Sequence, residues 1–118
     1  MIDSELVTYI ENALVSGLGL VSENIVVRII NSDMNYSTHK RRDSLGTEIM
    51  NVEVDVFSDD PISRVSLLKA LKRQQITLPD TTKLMQEVQS FTINEYVEQI
   101  NNYKTICSVQ YKYDILDT

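Results

Sequence analysis

The chain has 118 residues, 42% hydrophobic and 24% charged, with a formal net charge of −6 and one cysteine. That length suits one compact domain over residues 1–118, able to bury a core without staples. The acidity argues against wholesale coating of nucleic acid, and a single thiol excludes an intrachain disulfide.

Residues 3–16 predict a helix. Asp3 or Ser4 serves as its cap, and Leu6, Ile10, Ala13 and Leu14 recur at helical spacing as one apolar stripe. Gly17 and Gly19 are expected to end it. Residues 24–31 are rich in branched side chains, with Arg28 the only charge, and predict a strand. Residues 32–47 form a long polar connection without periodicity.

A second strand is expected over 48–57, with Met50, Val52, Val54 and Val56 on one face and Asn51, Glu53 and Asp55 on the other. Asp59 and Asp60 precede Pro61, a pattern that opens a helix over 61–75 burying Ile62, Val65, Leu68 and Leu71. Residues 81–89 suit either a short helix capped by Asp80 or an extended segment. Residues 91–100 alternate through Phe91, Ile93, Glu95 and Val97, and Asn101-Asn102 is a turn signal. The last strand, 105–115, has the clearest pattern: Cys107, Val109, Tyr111, Tyr113 and Ile115 point one way, and Ile106, Ser108, Gln110, Lys112 and Asp114 the other. The expected fold is α+β in two layers: a mainly antiparallel sheet of about four strands covered by two helices, in the order α-β-β-α-β-β.

Chemistry leaves few marks on this sequence. One histidine and one cysteine, far apart, do not make a metal site. Gly17 and Gly19 follow a helix rather than precede one, so they do not form a phosphate loop. Cys107 lies on an apolar strand face and reads as a buried, inert thiol. Glu53 and Asp55 read as a solvated strand face, and Asp59 and Asp60 as helix capping. No catalytic residue, metal or cofactor is expected. No apolar run approaches the roughly 20 residues that span a membrane. The acidic start Met-Ile-Asp-Ser-Glu lacks the basic segment of a signal peptide, so synthesis in the cytoplasm is expected.

One basic cluster stands out. His39, Lys40, Arg41 and Arg42 follow Tyr36 inside the polar connection. The cluster reads either as a solvated loop tip or as an arm gripping an acidic surface of a neighbouring subunit or the phosphates of DNA. The net charge favours the subunit contact over a dedicated nucleic-acid site.

An N-terminal helix leading into the branched strand 25–30 is followed by a long connection, then Val-Glu-Val-Asp-Val-Phe-Ser at 52–58 before an acidic cap and an amphipathic helix. The chain closes on Val-Gln-Tyr-Lys-Tyr-Asp-Ile at 109–115. This layout, over nearly the whole chain, resembles the tail terminator proteins of tailed bacteriophages and the wider set of head-tail joining proteins. The resemblance rests on element order and texture, with no diagnostic motif. It implies a non-enzymatic virion protein of the tail or neck, assembled in the bacterial host cytoplasm as a ring, commonly a hexamer. Such a ring sits on the end of the tail tube, stops its polymerisation and presents a surface to the head connector. Its partners would be further copies of itself, the tube protein and the connector protein, with DNA passing through the lumen and no membrane. Glu53, Asp55, Gln110 and Asp114 would then line the lumen as an acidic wall that repels the DNA backbone. The same positions suit the wet face of a monomer equally well. Residues 81–99 depart from the pattern, being long and polar for a plain strand. The rival readings are a small acidic interaction module, such as an immunity protein or antitoxin that binds one protein partner, and an enzyme built on scattered carboxylates.

Overall fold

A computed structural model describes residues 2–32 and 47–116. The elements are α1 (Ile2–Leu18), β1 (Ile25–Ser32), β2 (Thr47–Ser58), α2 (Arg64–Ala70), β3 (Gln74–Thr77), β4 (Lys83–Gln99) and β5 (Asn102–Ile115), with a short 3-10 turn at Ser22–Asn24 before β1. The strands form one antiparallel sheet in the order β1-β2-β5-β4-β3. The helices lie on one face of it, so the molecule is α+β and two-layered, with one strand more than expected. The polar connection between Ser32 and Thr47, apart from those two ends, lies outside the described residues.

The dry face of the sheet follows from alternation. Met50, Val52, Val54 and Val56 of β2 and Cys107, Val109, Tyr111 and Tyr113 of β5 are all buried. Leu6, Ile10 and Leu14 of α1 close over them with no exposed surface. Each such side chain contributes about 1.5–3 kcal/mol by leaving water. α1 ends at Gly19, whose φ of 68° suits the left-handed turn and whose N–H donates to the Val15 carbonyl. Gly17 does not end the helix. It lies inside α1 where the helices meet, and a Cβ placed on it would come within 2.6 Å of the Ala70 Cβ. Glycine is there to let α2 approach.

The second helix is shorter than expected. Ser63, not the acidic pair before Pro61, caps it by accepting from the Ser66 N–H at 3.2 Å. Asp59, Asp60 and Pro61 are exposed ahead of the cap. α2 buries Leu67 and Ala70, with Leu71 just beyond it, while Val65 is 62% exposed. Residues 74–77 then leave the helical pattern to pair with β4 as β3. Long-range hydrogen bonding outweighs local propensity there, since Gln74 and Gln75 are good helix formers.

The ambiguous segment resolves as extended: β4 begins at Lys83, after a turn in which the Thr82 N–H donates to Asp80 Oδ1. β4 also carries two β-bulges, between Val88 and Ser90 and between Ile93 and Glu95. The second one shifts the alternation. Ile93 lies opposite Cys107 on the dry face, but Glu95 lies opposite Ile106 on the wet one, so Phe91, Ile93, Glu95 and Val97 do not share a face. The β4–β5 hairpin, turned at Asn101 with φ 66°, sets the long axis of a 51 × 23 × 22 Å body. A 17-residue strand at about 3.3 Å per residue accounts for that length.

Candidate functional site

The wet face of the sheet is the surface that sequence reasoning singled out, and register shows how it is built. Glu53, Asp55, Gln110 and Asp114 all point to it. Arg28 of β1 stands opposite Glu53. Its guanidinium spans two residues of β2: Nη1 and Nη2 donate to Asp55 Oδ2 and Oδ1 at 2.9 and 3.0 Å, and Nη2 also donates to Glu53 Oε1. Lys104 of β5 reaches the same Asp55 carboxylate at 3.3 Å from the other side.

This cluster of two cations and two carboxylates clamps β1, β2 and β5 in register. Asp55 is only 3% exposed despite its place on the wet face. The hydrogen bond from Arg28 holds its carboxyl below the usual carboxylate range. Burial opposes the shift, and the positive charges of Arg28 and Lys104 reinforce it. Reciprocally, Asp55 and then Glu53 hold the Arg28 guanidinium more firmly protonated. On the dry side, burial and the nearby Asp55 charge push the Cys107 thiol up to about 12, which leaves it an unreactive part of the core.

One row along the strands is a ladder of neutral groups. Asn31, Asn51, Gln110 and Ser90 lie opposite one another across β1, β2, β5 and β4. Gln110 Nε2 donates to Asn51 Oδ1 at 3.1 Å, and Asn51 Nδ2 donates to Asn31 Oδ1 at 2.5 Å. A β-bulge flanks the row at each end, in β1 at Ile30 and in β4 at Gln89. A shallow depression of about 350 Å³ lies over the row between them. Towards the far end, Asp114 accepts from Thr47 Oγ1 at 2.8 Å and lies 3.6 Å from Lys112 Nζ.

The carboxylates expected to form a bare acidic wall are therefore each partnered. Glu53 and Asp55 are compensated by Arg28 and Lys104, and Asp114 by Lys112 and a hydroxyl. Sequence reasoning missed Arg28 and Lys104. A lone cation in a strand of branched residues was the available signal, because its even spacing from Val26 and Ile30 puts it on the wet face. Tyr36, His39, Lys40, Arg41 and Arg42 lie outside the described residues. Among the described residues no three His, Cys, Asp or Glu side chains are grouped as a metal site, and no helix is long and apolar enough to cross a membrane.

The sheet margins form the second notable surface. Among the described residues, the exposed large apolar side chains are Val21, Val26, Ile30, Val65, Tyr96 and Ile100. Val26 and Ile30 are on β1, and Val21 directly precedes the turn into it. Tyr96 and Ile100 are on β4 and the hairpin tip. Val65 lies on α2 beside Arg64, which stacks over the Phe91 ring of β4 at 5.0 Å. The apolar exposure is thus split between two opposite flanks of the sheet. No protein-family model matches the chain, and no curated protein or solved structure is significantly similar to it.

Proposed function

We propose that this chain is a non-enzymatic structural protein that joins head to tail with copies of itself into a ring, in the manner of the phage tail terminator and head-tail joining proteins it resembles. The observation that carries this reading is the division of exposed apolar surface between the β1 flank and the β4 flank. Two different patches on opposite sides make a heterologous contact, the kind that closes into rings when the rotation allows. A single patch would favour a two-fold dimer or one foreign partner.

In the virion this ring would cap the finished tail tube and offer its opposite rim to the head connector. A lumen lined by the wet sheet face would carry compensated ion pairs and a neutral amide row. DNA would meet few unpaired charges there, and the compensated surface would neither bind nor strongly repel the phosphate backbone. The basic segment with Tyr36, His39, Lys40, Arg41 and Arg42 supplies a cationic arm for a net-acidic neighbour.

The test is negative-stain imaging and light scattering of the purified protein, alone and with tail tubes. Rings of uniform size, or copies seated at tube ends with tubes of fixed length, are the expected result. A monomer at every concentration with no effect on tubes overturns the reading. A tight one-to-one complex with an unrelated protein, without rings, replaces it by the interaction module.

A further inference from the structure

We propose that the outer edge of β1 in one copy pairs antiparallel with the open stretch of β4 in the next, so that the sheet continues from copy to copy; this inference rests on the ring reading above. β1 is the terminal strand of the sheet, and among the described residues nothing pairs with its outer edge along residues 25–31. β4 is covered by β3 only at Lys83–Gln86. Arg64 donates to the Phe91 carbonyl and Tyr96 Oη to the Ile62 carbonyl, each at 3.2 Å, and among the described residues no strand pairs with the outer edge of residues 92–99. That run is eight residues long, the same as β1.

Strand direction permits the pairing. β1 is antiparallel to β2, β2 to β5 and β5 to β4, so β1 runs antiparallel to β4 within one copy. Rotation about an axis along the strands preserves those directions. It therefore brings β1 of one copy antiparallel to β4 of the next and keeps all wet faces on one side.

Charge selects this pairing over its rivals. β1 carries one charge, Arg28, and its side chain remains 42% exposed beside Glu53 and Asp55. The open run of β4 carries Glu95 and Glu98 and no cation. Two β4 edges would oppose glutamate to glutamate, which is destabilising, and two β1 edges would leave each arginine with only the carboxylates it already holds. The β1–β4 pairing alone sets a partly exposed cation against the glutamates of β4. With Arg28 opposite Glu95, which share the wet face, exposed Val26 falls opposite half-buried Val97, joining apolar surface across the seam.

Cross-linking of the full chain tests this. Val26→Cys and Val97→Cys are introduced singly and together, with the buried Cys107 retained, and treated with a short bismaleimide. The double variant is expected to give a ladder of covalent oligomers ending at the ring size, and neither single variant a covalent dimer. Efficient dimers from a single variant overturn the proposal in favour of two-fold pairing. Rings in the microscope without a ladder from the double variant overturn the strand pairing alone and leave the ring reading standing. Absence of any self-association overturns both. Glu95→Lys, on an exposed position, is expected to weaken assembly about tenfold by turning attraction into repulsion, with an unchanged urea midpoint. Assembly equal to wild type with that variant counts against the charge match.

Discussion

The two faces of β2 and β5 are made by alternate residues of the same strands, yet they hold the protein together by different physics. On the dry face, Val52, Val54, Val109 and Tyr111 are buried by a force that has magnitude but little direction. Any side chain of similar volume would do much of the same work. On the wet face, Arg28, Asp55 and Lys104 interact through bonds that exist in one alignment of three strands. A slip of one residue would expose the dry set and break the ion cluster together. The dry face thus supplies most of the stability, while the wet face selects the register. The flanks, held by neither, carry the exposed apolar side chains.

Substitutions that break the comparison on its strong side come first. Tyr111→Ala should cost roughly 3–5 kcal/mol, because the ring is 1% exposed and packs against Tyr113 with centroids 6.0 Å apart. Urea unfolding measures it, and a loss below 1 kcal/mol would mean that the dry face is not the main source of stability.

Arg28→Ala probes the wet face and should cost about 1.5–3 kcal/mol, towards the lower figure because Lys104 still reaches Asp55. It also has a signature in pH. Asp55 is held below its ordinary value near 3.8 in the fold. Its pairing therefore stabilises the protein above that unfolded value, and the contribution is lost as pH falls through the lower folded one. Urea midpoints taken downward from neutral pH should fall in this acid window in the wild type and fall less steeply in Arg28→Ala. Equal acid slopes in the two proteins would refute the role given to the cluster.

How much of this was legible in the sequence follows the same division. The dry stripes of α1, β2 and β5 were readable because period and burial coincide: Leu6, Ile10 and Leu14 at helical spacing, and Cys107 to Tyr113 at alternate positions. β3 was not readable, since Gln74-Gln75-Ile76-Thr77 becomes a strand only through its partners at Lys83–Gln86. The face change at Glu95 was hidden for a related reason. A β-bulge is a relation between two strands and leaves no mark in one. Of the candidate residues, Glu53, Asp55, Gln110 and Asp114 were placed on one face by alternation. The cations that compensate them come from β1 and β5, and no local pattern ties Arg28 or Lys104 to Asp55.

Gly17→Ala sharpens the contrast between volume and direction at a third place, the contact of the two helices. Alanine favours a helix interior over glycine by about 1 kcal/mol. Here the added carbon would meet Ala70 Cβ at 2.6 Å and Cα at 2.8 Å, and backbone cannot swing aside as a flexible side chain can. Overpacking of this kind costs about 1–3 kcal/mol, so a net loss of about 1 kcal/mol is expected by urea unfolding. A gain in stability would show that α2 can shift freely over the core.

A comparably small effect belongs to a directional bond embedded in the dry face. Tyr113 Oη donates to Gln86 Oε1 at 2.6 Å, and the two residues stand opposite each other on β5 and β4 with no more than 2% exposure. Tyr113→Phe keeps the ring and removes the donor, stranding an amide oxygen in the core at about 1–2 kcal/mol. Gln86→Leu alone removes the acceptor and leaves the phenol to seek another. The double variant puts apolar groups on both sides, and its loss should be smaller than the sum of the single losses. A double-mutant cycle in urea measures the coupling. Strict additivity would mean that the bond contributes nothing beyond burial, and that direction matters only on the wet side of the sheet.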